Sequence, residues 1–144
     1  QQKERKMADL KSEIQIVHAT REDIDTLAKF NILLAKETED KDLVPEAVQK
    51  GVTKIFDDPS YGFYMVAKTA EGQVVGCLMI TYEWSDWRNG VFFWIQSVYV
   101  DKDHRRKGIF RSLYQHVYDE AKTREDVCGV RLYADLENER AQQT

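Results

Sequence analysis

Gln96-Ser97-Val98-Tyr99-Val100-Asp101-Lys102-Asp103-His104-Arg105-Arg106-Lys107-Gly108-Ile109-Phe110-Arg111-Ser112-Leu113 reads as a strand that runs out through a basic loop into a helix. Up to Val100 the residues are mostly apolar, aromatic or β-branched. After Gly108 the apolar residues Ile109, Leu113, Val117 and Ala121 recur every fourth position, which is helical spacing. A strand end, a single glycine and a helix N-terminus together present unpaired backbone N–H groups and the positive end of a helix dipole, a setting suited to phosphate. Within 102–111, Lys102, Arg105, Arg106, Lys107 and Arg111 stand against Asp103 alone, although the chain as a whole carries a net charge of −4. An anion site on this protein is therefore a local concentration of charge and not a global property.

Upstream of this stretch the pattern has the period of a sheet. Residues 63–68, 74–84 and 91–100 are expected as three strands of an antiparallel meander, turning at Glu71-Gly72 and Asn89-Gly90. The third is the longest continuous apolar and aromatic run, so it is expected to be central and covered on both faces. Before the meander come two helices. Thr20-Arg21-Glu22-Asp23 forms an N-cap with an acidic first turn, and Ile24, Leu27, Ala28, Leu34 and Ala35 give an apolar stripe that ends in the polar stretch 37–42. Pro45 opens the second helix, which turns Val48, Val52, Ile55 and Phe56 inward before Asp57-Asp58-Pro59-Ser60 stops it. Ile14, Ile16 and His18 alternate as a first strand would, after a polar tail at 1–12. Downstream of the basic loop and its helix, 127–133 is a further strand, paired parallel to 91–100 through a right-handed crossover. Leu136 to Ala141 starts a last helix, with Asn138 as a cap.

At 144 residues the chain is one domain, here 13–144, able to bury a substantial core. No apolar run approaches the roughly 20 residues of a membrane span, and no signal peptide opens the chain, so a cytoplasmic location without membrane partners is expected. Nucleic acid is a poor partner, because the basic residues form one short loop without aromatics interleaved for stacking. Cys77 and Cys128 lie in strand-like sequence as buried thiols, and His18, His104 and His116 lack the spacing of metal ligands.

The order of elements resembles the GNAT superfamily of acyl-coenzyme A dependent N-acyltransferases, an α/β fold with a mixed, mostly antiparallel sheet flanked by helices. So do the motifs. The family signature is Gln or Arg, two variable residues, Gly, one variable residue, then Gly or Ala, following a Val-x-Val strand end. Here Val98-Tyr99-Val100 precedes Arg105-Arg106-Lys107-Gly108-Ile109-Phe110, with Phe110 standing where a small residue is usual. The nearest look within the family is to the diamine acetyltransferases of the spermidine/spermine type, through Glu83-Trp84-Ser85-Asp86-Trp87 and Glu137-Asn138. Those enzymes carry acidic residues where this strand reads Gln96-Ser97.

The resemblance implies acetyl-coenzyme A as co-substrate, an amine of a small molecule as acceptor, and no metal. It implies that Val98, Tyr99 and Val100 pair with the pantetheine amides, that Arg105, Arg106, Lys107, Gly108, Ile109, Phe110 and Arg111 surround the pyrophosphate, and that Asn138 adds a contact. It requires strand 91–100 to splay from 127–133, and it leaves a homodimer open. A tyrosine on the last helix commonly protonates the leaving thiolate; that position falls just past Thr144. The 144 residues are therefore expected to be a C-terminally truncated version of a longer protein, or to be completed by a partner chain.

Acyl transfer to an amine needs a neutral nucleophile, an oxyanion donor and a proton for the thiolate. Deprotonating an alkyl amine of pKa near 10.4 costs about 4 to 5 kcal/mol at pH 7, so a base or a water chain must take that proton. Glu83, among aromatics at the end of the second meander strand, is one candidate base; a water relayed by Gln96 or Ser97 is the other. The amide of Val98 would donate to the thioester carbonyl. Trp84, Trp87 and Trp94, with Tyr82, would wall an amine by cation–π attraction. No Ser/His/Asp or Cys/His set is present, which favours direct transfer over an acyl-enzyme. Two other readings stay open: an acyl-coenzyme A binding regulatory protein of the same fold, and an enzyme that acetylates a protein or peptide.

Overall fold

A computed structural model describes residues 14–132. In chain order it contains β1 (Gln15–His18), a short 3-10 turn (Arg21–Asp23), α1 (Ile24–Glu39), α2 (Pro45–Asp57), β2 (Gly62–Lys68), β3 (Val74–Ser85), β4 (Gly90–Val100), a second 3-10 turn (Lys102–His104), α3 (Ile109–Thr123) and β5 (Val127–Leu132). The strands form one sheet in the order β1-β2-β3-β4-β5. The first three pairings are antiparallel, and β4 and β5, joined through α3, run parallel. This mixed, curled sheet flanked by helices is the architecture expected of the fold. The polar tail at 1–12, Tyr133, the helix expected from Leu136 and Asn138 lie outside the described residues. No described helix is long and apolar enough to cross a membrane.

Local signals account for the helix boundaries. The Thr20 amide donates to the Asp23 carboxylate at 2.9 Å, closing the turn before α1, and Lys68 neutralises this buried aspartate at 3.2 Å. Asp40, left-handed at φ 49°, ends α1. Pro45 sits in the first turn of α2, where a missing N–H is harmless.

The sheet separates two apolar layers. On one face Met65, Leu78, Ile80, Phe93 and Ile95 pack against Ile109, Leu113, Val117 and Ala121, the every-fourth-residue stripe of α3. On the other, Leu27, Ala28 and Phe30 of α1 and Val52 of α2 cover Tyr64, Val66, Cys77 and Tyr99. Phe30 was not part of the expected α1 stripe. It is buried because its ring meets that of Tyr99, with centroids 4.8 Å apart.

β4 is covered by α3 along one face and, at Tyr99, by α1 on the other, whereas Phe92 lines an open groove, so the expected cover on both faces is partial; among the described strands it is not the central one. That place belongs to β3, which is also longer, at 12 residues against 11. A continuous apolar run reports burial of both faces; it carries no information on how many strands lie on either side. The hairpin at Asn89-Gly90 forms, closed by the Ser85–Gly90 pair, and Asn89 is left-handed at φ 48°.

One irregularity shapes the site. Cys77 pairs with Tyr99 and Met79 with Gln96, so β4 holds one residue more than β3 across this interval. The extra residue is a β-bulge in which Ser97 adopts φ 52°. Before it Phe93 and Ile95 face α3; beyond it Val98 and Val100 do, and Tyr99 faces α1. A one-residue insertion reverses the alternation, since side chains repeat every two residues. Pairing of β4 with β5 runs from Val91–Val127 to Ile95–Leu132, the last described residue. The expected splay of the two strands lies outside the described residues.

Candidate active site

Beyond the bulge the chain leaves the sheet in steps that its polar residues fix. The Asp101 amide donates to the Val75 carbonyl at 2.8 Å, and the His104 ring meets the Asp101 carboxylate at 3.0 Å. Arg106 and Gly108 then both turn left-handed, at φ 65° and 77°. Such reversals direct successive amides toward one point.

Gly108 caps α3 without a side-chain hydrogen bond, and the first turn contains no acidic residue. The amides of 109–111 therefore face outward with an uncompensated dipole. A Cβ built on Gly108 meets nothing within 4 Å. Its backbone is approachable, and the exposed side chains of Arg106, Lys107 and Arg111 surround it. Unpaired amides, open space and local positive charge fit a pyrophosphate, hence the coenzyme. Ile109 is buried and anchors the cradle. A Cβ on Gly76 of β3 would stand 3.0 Å from its Cγ2 atom, so α3 comes this close to the sheet only because residue 76 lacks a side chain. Sequence reasoning missed Gly76, which looks like any glycine in a strand.

Phe110, the departure from the family motif, is half-buried. Its ring lies along the helix beside Tyr114, with centroids 6.4 Å apart. The spacing of four residues provides this neighbour.

Arg105 is not with the other cations. Its Nε–H donates to the Val100 carbonyl at 3.0 Å, its Nη2 to Glu37 Oε2 at 2.6 Å, and its Cζ lies 5.4 Å from the centre of the Tyr99 ring. The Tyr99 hydroxyl donates to the other oxygen of Glu37 at 3.4 Å. Burial, and then the Glu37 charge, raises the Tyr99 phenol above its ordinary pKa. Partial desolvation works against the Arg105 charge, but the hydrogen bond and attraction from Glu37 outweigh it and hold the guanidinium above its usual value. In the sequence Glu37 is only the first residue of the polar stretch 37–42. Its place seven residues after Phe30, on the same face of α1, was the available signal.

At the bulge the Gln96 side-chain Nε2 donates to the Thr81 hydroxyl at 2.7 Å. The Ser97 carbonyl lies 3.9 Å from the buried Cys77 thiol, whose pKa burial pushes up to about 12. Glu83 is elsewhere. It pairs with Phe92, four positions before Gln96, roughly 13 Å along the strand at about 3.3 Å per residue. Its carboxylate accepts from Arg131 at 3.3 and 3.5 Å. Both line an open groove of about 360 Å³ with Trp87, Arg88 and Phe92. The expected aromatic wall is not assembled. Trp84 pairs with Val91 and Trp94 with Thr81, three residues away on β3, so strand alternation sends them to opposite faces. Trp87 is 93% exposed at the hairpin tip.

Solved structures share this fold. A possible acetyltransferase from Clostridium difficile 630 is 48% identical and superimposes with a TM-score of 0.84, over 90% of this chain and 85% of that one. A ribosomal-protein-alanine N-acetyltransferase from Brucella melitensis biovar Abortus 2308 is 18% identical, with a TM-score of 0.73 over 90% of this chain and 86% of that one. A glucosamine-6-phosphate N-acetyltransferase from Arabidopsis thaliana is 20% identical, with a TM-score of 0.66 over 90% and 88%. At these identities the latter two show the fold alone. No curated protein matches the chain. The acetyltransferase (GNAT) family model matches residues 27–144, and the chain belongs to that family.

Proposed function

We propose that the protein transfers an acetyl group from acetyl-coenzyme A directly to the amine of a small molecule. The observation that carries this is the open, uncapped helix N-terminus at Gly108, one loop away from the bulged end of β4. The amides of 109–111, with Arg106, Lys107 and Arg111, hold the pyrophosphate, and the backbone of Val98 and Val100 orients the pantetheine arm as an added strand would. Bound coenzyme supplies the activated acetyl thioester. The Val98 amide donates to the carbonyl oxygen as it gains charge. Gln96, fixed by Thr81, orients a water that takes the amine proton, and Ser97 extends that path; as the C–N bond forms the thioester C–S bond breaks, and the coenzyme leaves as a thiolate that takes a proton from solvent.

The acceptor arrives as a cation, and the acidic stretch at the end of α1 suits it. Lys36 is shared between Asp40 and Asp42, at 3.1 and 3.2 Å, which leaves negative charge in excess there. A second reading, coenzyme binding without transfer, draws on the neutral pair Gln96-Ser97 and on the distance of Glu83 from the bulge. Calorimetry with acetyl-coenzyme A, followed by thiol release with small amines, polyamines and peptides, separates the readings. Release with a small amine supports the proposal. Binding without release favours the second reading, release with peptides alone favours a protein acetyltransferase, and no binding at millimolar coenzyme ends all three.

A further inference from the structure

Three segments distant in sequence meet at one guanidinium: Glu37 in the last turn of α1, Tyr99 and Val100 at the end of β4, and Arg105 in the basic loop. We propose that Glu37 and Arg105 are positioning residues: the pair fixes the edge of β4 at Val98–Val100, along which the pantetheine arm lies, and Arg105 does not contact the pyrophosphate. The proposal rests on the coenzyme reading above and assigns to Arg105 a different role from that of its cationic neighbours.

The geometry uses the distinguishing features of arginine. Nε–H is directed at a backbone carbonyl, Nη2 at a carboxylate, and the planar face covers Tyr99. Reaching a phosphate at α3 would break all three contacts. Among the described residues the side chains of Arg106, Lys107 and Arg111 make no hydrogen bond or ion pair, so they supply the attraction for the anion without Arg105. The Val100 carbonyl, which Arg105 restrains, is three residues past the bulge at Ser97, in the stretch where Tyr99 and Val100 pair with Cys77 and Gly76 of β3. Tyr99 is 5% exposed and wedged between Phe30 and Arg105, which makes the contact rigid on the α1 side. Because Glu37 lies in the last turn of α1, the same pair ties the acidic loop after that helix to the strand carrying the donor.

Acetyl-coenzyme A and acetyl-pantetheine, which lacks the pyrophosphate and nucleoside, discriminate the roles. The variants are Glu37→Gln, Arg105→Met, which keeps the stem over Tyr99, and the double. Positioning requires each single variant to raise KM about five- to tenfold for both donors, with the double no worse than the worse single. The salt dependence of KM for acetyl-coenzyme A stays that of the parent, and Arg105→Lys, which cannot reproduce the fork, does not restore the parent values. A rise confined to acetyl-coenzyme A in Arg105→Met, or an unchanged or lower KM in Glu37→Gln, overturns the proposal. Should Arg105→Met fail to fold, Glu37→Gln decides alone: a rise for both donors supports the role and no change refutes it. Loss of both donors by the parent protein would instead remove the functional reading itself.

Discussion

Replacing Gly108 by alanine separates the backbone strain of the cradle from its role in binding. Gly108 sits at φ 77° and ψ 15°, where an L-residue costs roughly 1 to 2 kcal/mol. Nothing lies within 4 Å of the added methyl, so no clash adds to that cost in the free protein. A phosphate held by the amides of 109–111 should meet the added methyl. Each charge-assisted hydrogen bond from these amides to a phosphate is worth about 1.5 to 3 kcal/mol, so displacing two weakens binding on the order of a hundredfold or more. Gly72, at φ 85° in the β2–β3 turn and likewise with nothing within 4 Å, provides a matched control. Both alanine variants should lose about 1 kcal/mol in urea unfolding, and only Gly108→Ala should raise the calorimetric Kd for acetyl-coenzyme A. Equal, small changes in Kd for the two variants would refute a phosphate cradle at α3.

Gly76→Ala places its Cβ 3.0 Å from the Ile109 side chain and 3.5 Å from Leu113, so α3 must move; a stability loss of about 1 to 3 kcal/mol with weakened coenzyme binding is expected from melts and calorimetry. Alkaline pH should destabilise the fold. Burial pushes Tyr64 and Cys77 from 10.0 and 9.0 up to about 12, so the unfolded chain releases protons that the folded chain retains. The stability they contribute is complete below about pH 9 and is lost as pH rises toward 12. Tyr64→Phe should remove about 1 to 1.5 kcal/mol of that alkaline loss in urea titrations at about pH 8 and pH 11; an unchanged pH dependence would contradict the burial. Glu83→Gln should leave turnover within about twofold, whereas Gln96→Ala should lower it tenfold or more with little change in Kd. Abolished turnover in Glu83→Gln at unchanged Kd would show that Glu83 reaches the reacting centre after all.

Much of the fold was legible because its signals are local. The α3 stripe Ile109, Leu113, Val117 and Ala121, the proline at the start of α2 and the Asn89-Gly90 turn each state their structure within a few residues, and all three took the expected form. The rank of β4 in the sheet was not legible, because an apolar run does not record how many neighbours its strand has. Nor was the bulge at Ser97, which exists only in the register between two strands. That single extra residue determines which face each side chain after it takes. The aromatic wall failed for a related reason. Trp84, Trp87 and Trp94 are close in sequence, but a period of two and an exposed hairpin tip disperse them.

The same physical distinction separates the two halves of the candidate site. A phosphate is bound chiefly by backbone amides, and consecutive amides lie together wherever the chain turns once, so the proposed cradle at 106–111 has its chemistry in one short segment. Acceptor recognition and proton removal need side chains placed relative to one another. Here those relations span the molecule: Gln96 depends on Thr81, 15 residues away, and Arg105 on Glu37, 68 residues away. Arg105 belongs to both halves, read from the motif as a phosphate ligand and held by the fold as a strut. A cation's role thus follows from the carboxylate that reaches it first, and Glu37 already occupies the fork that the motif alone would have directed at the anion.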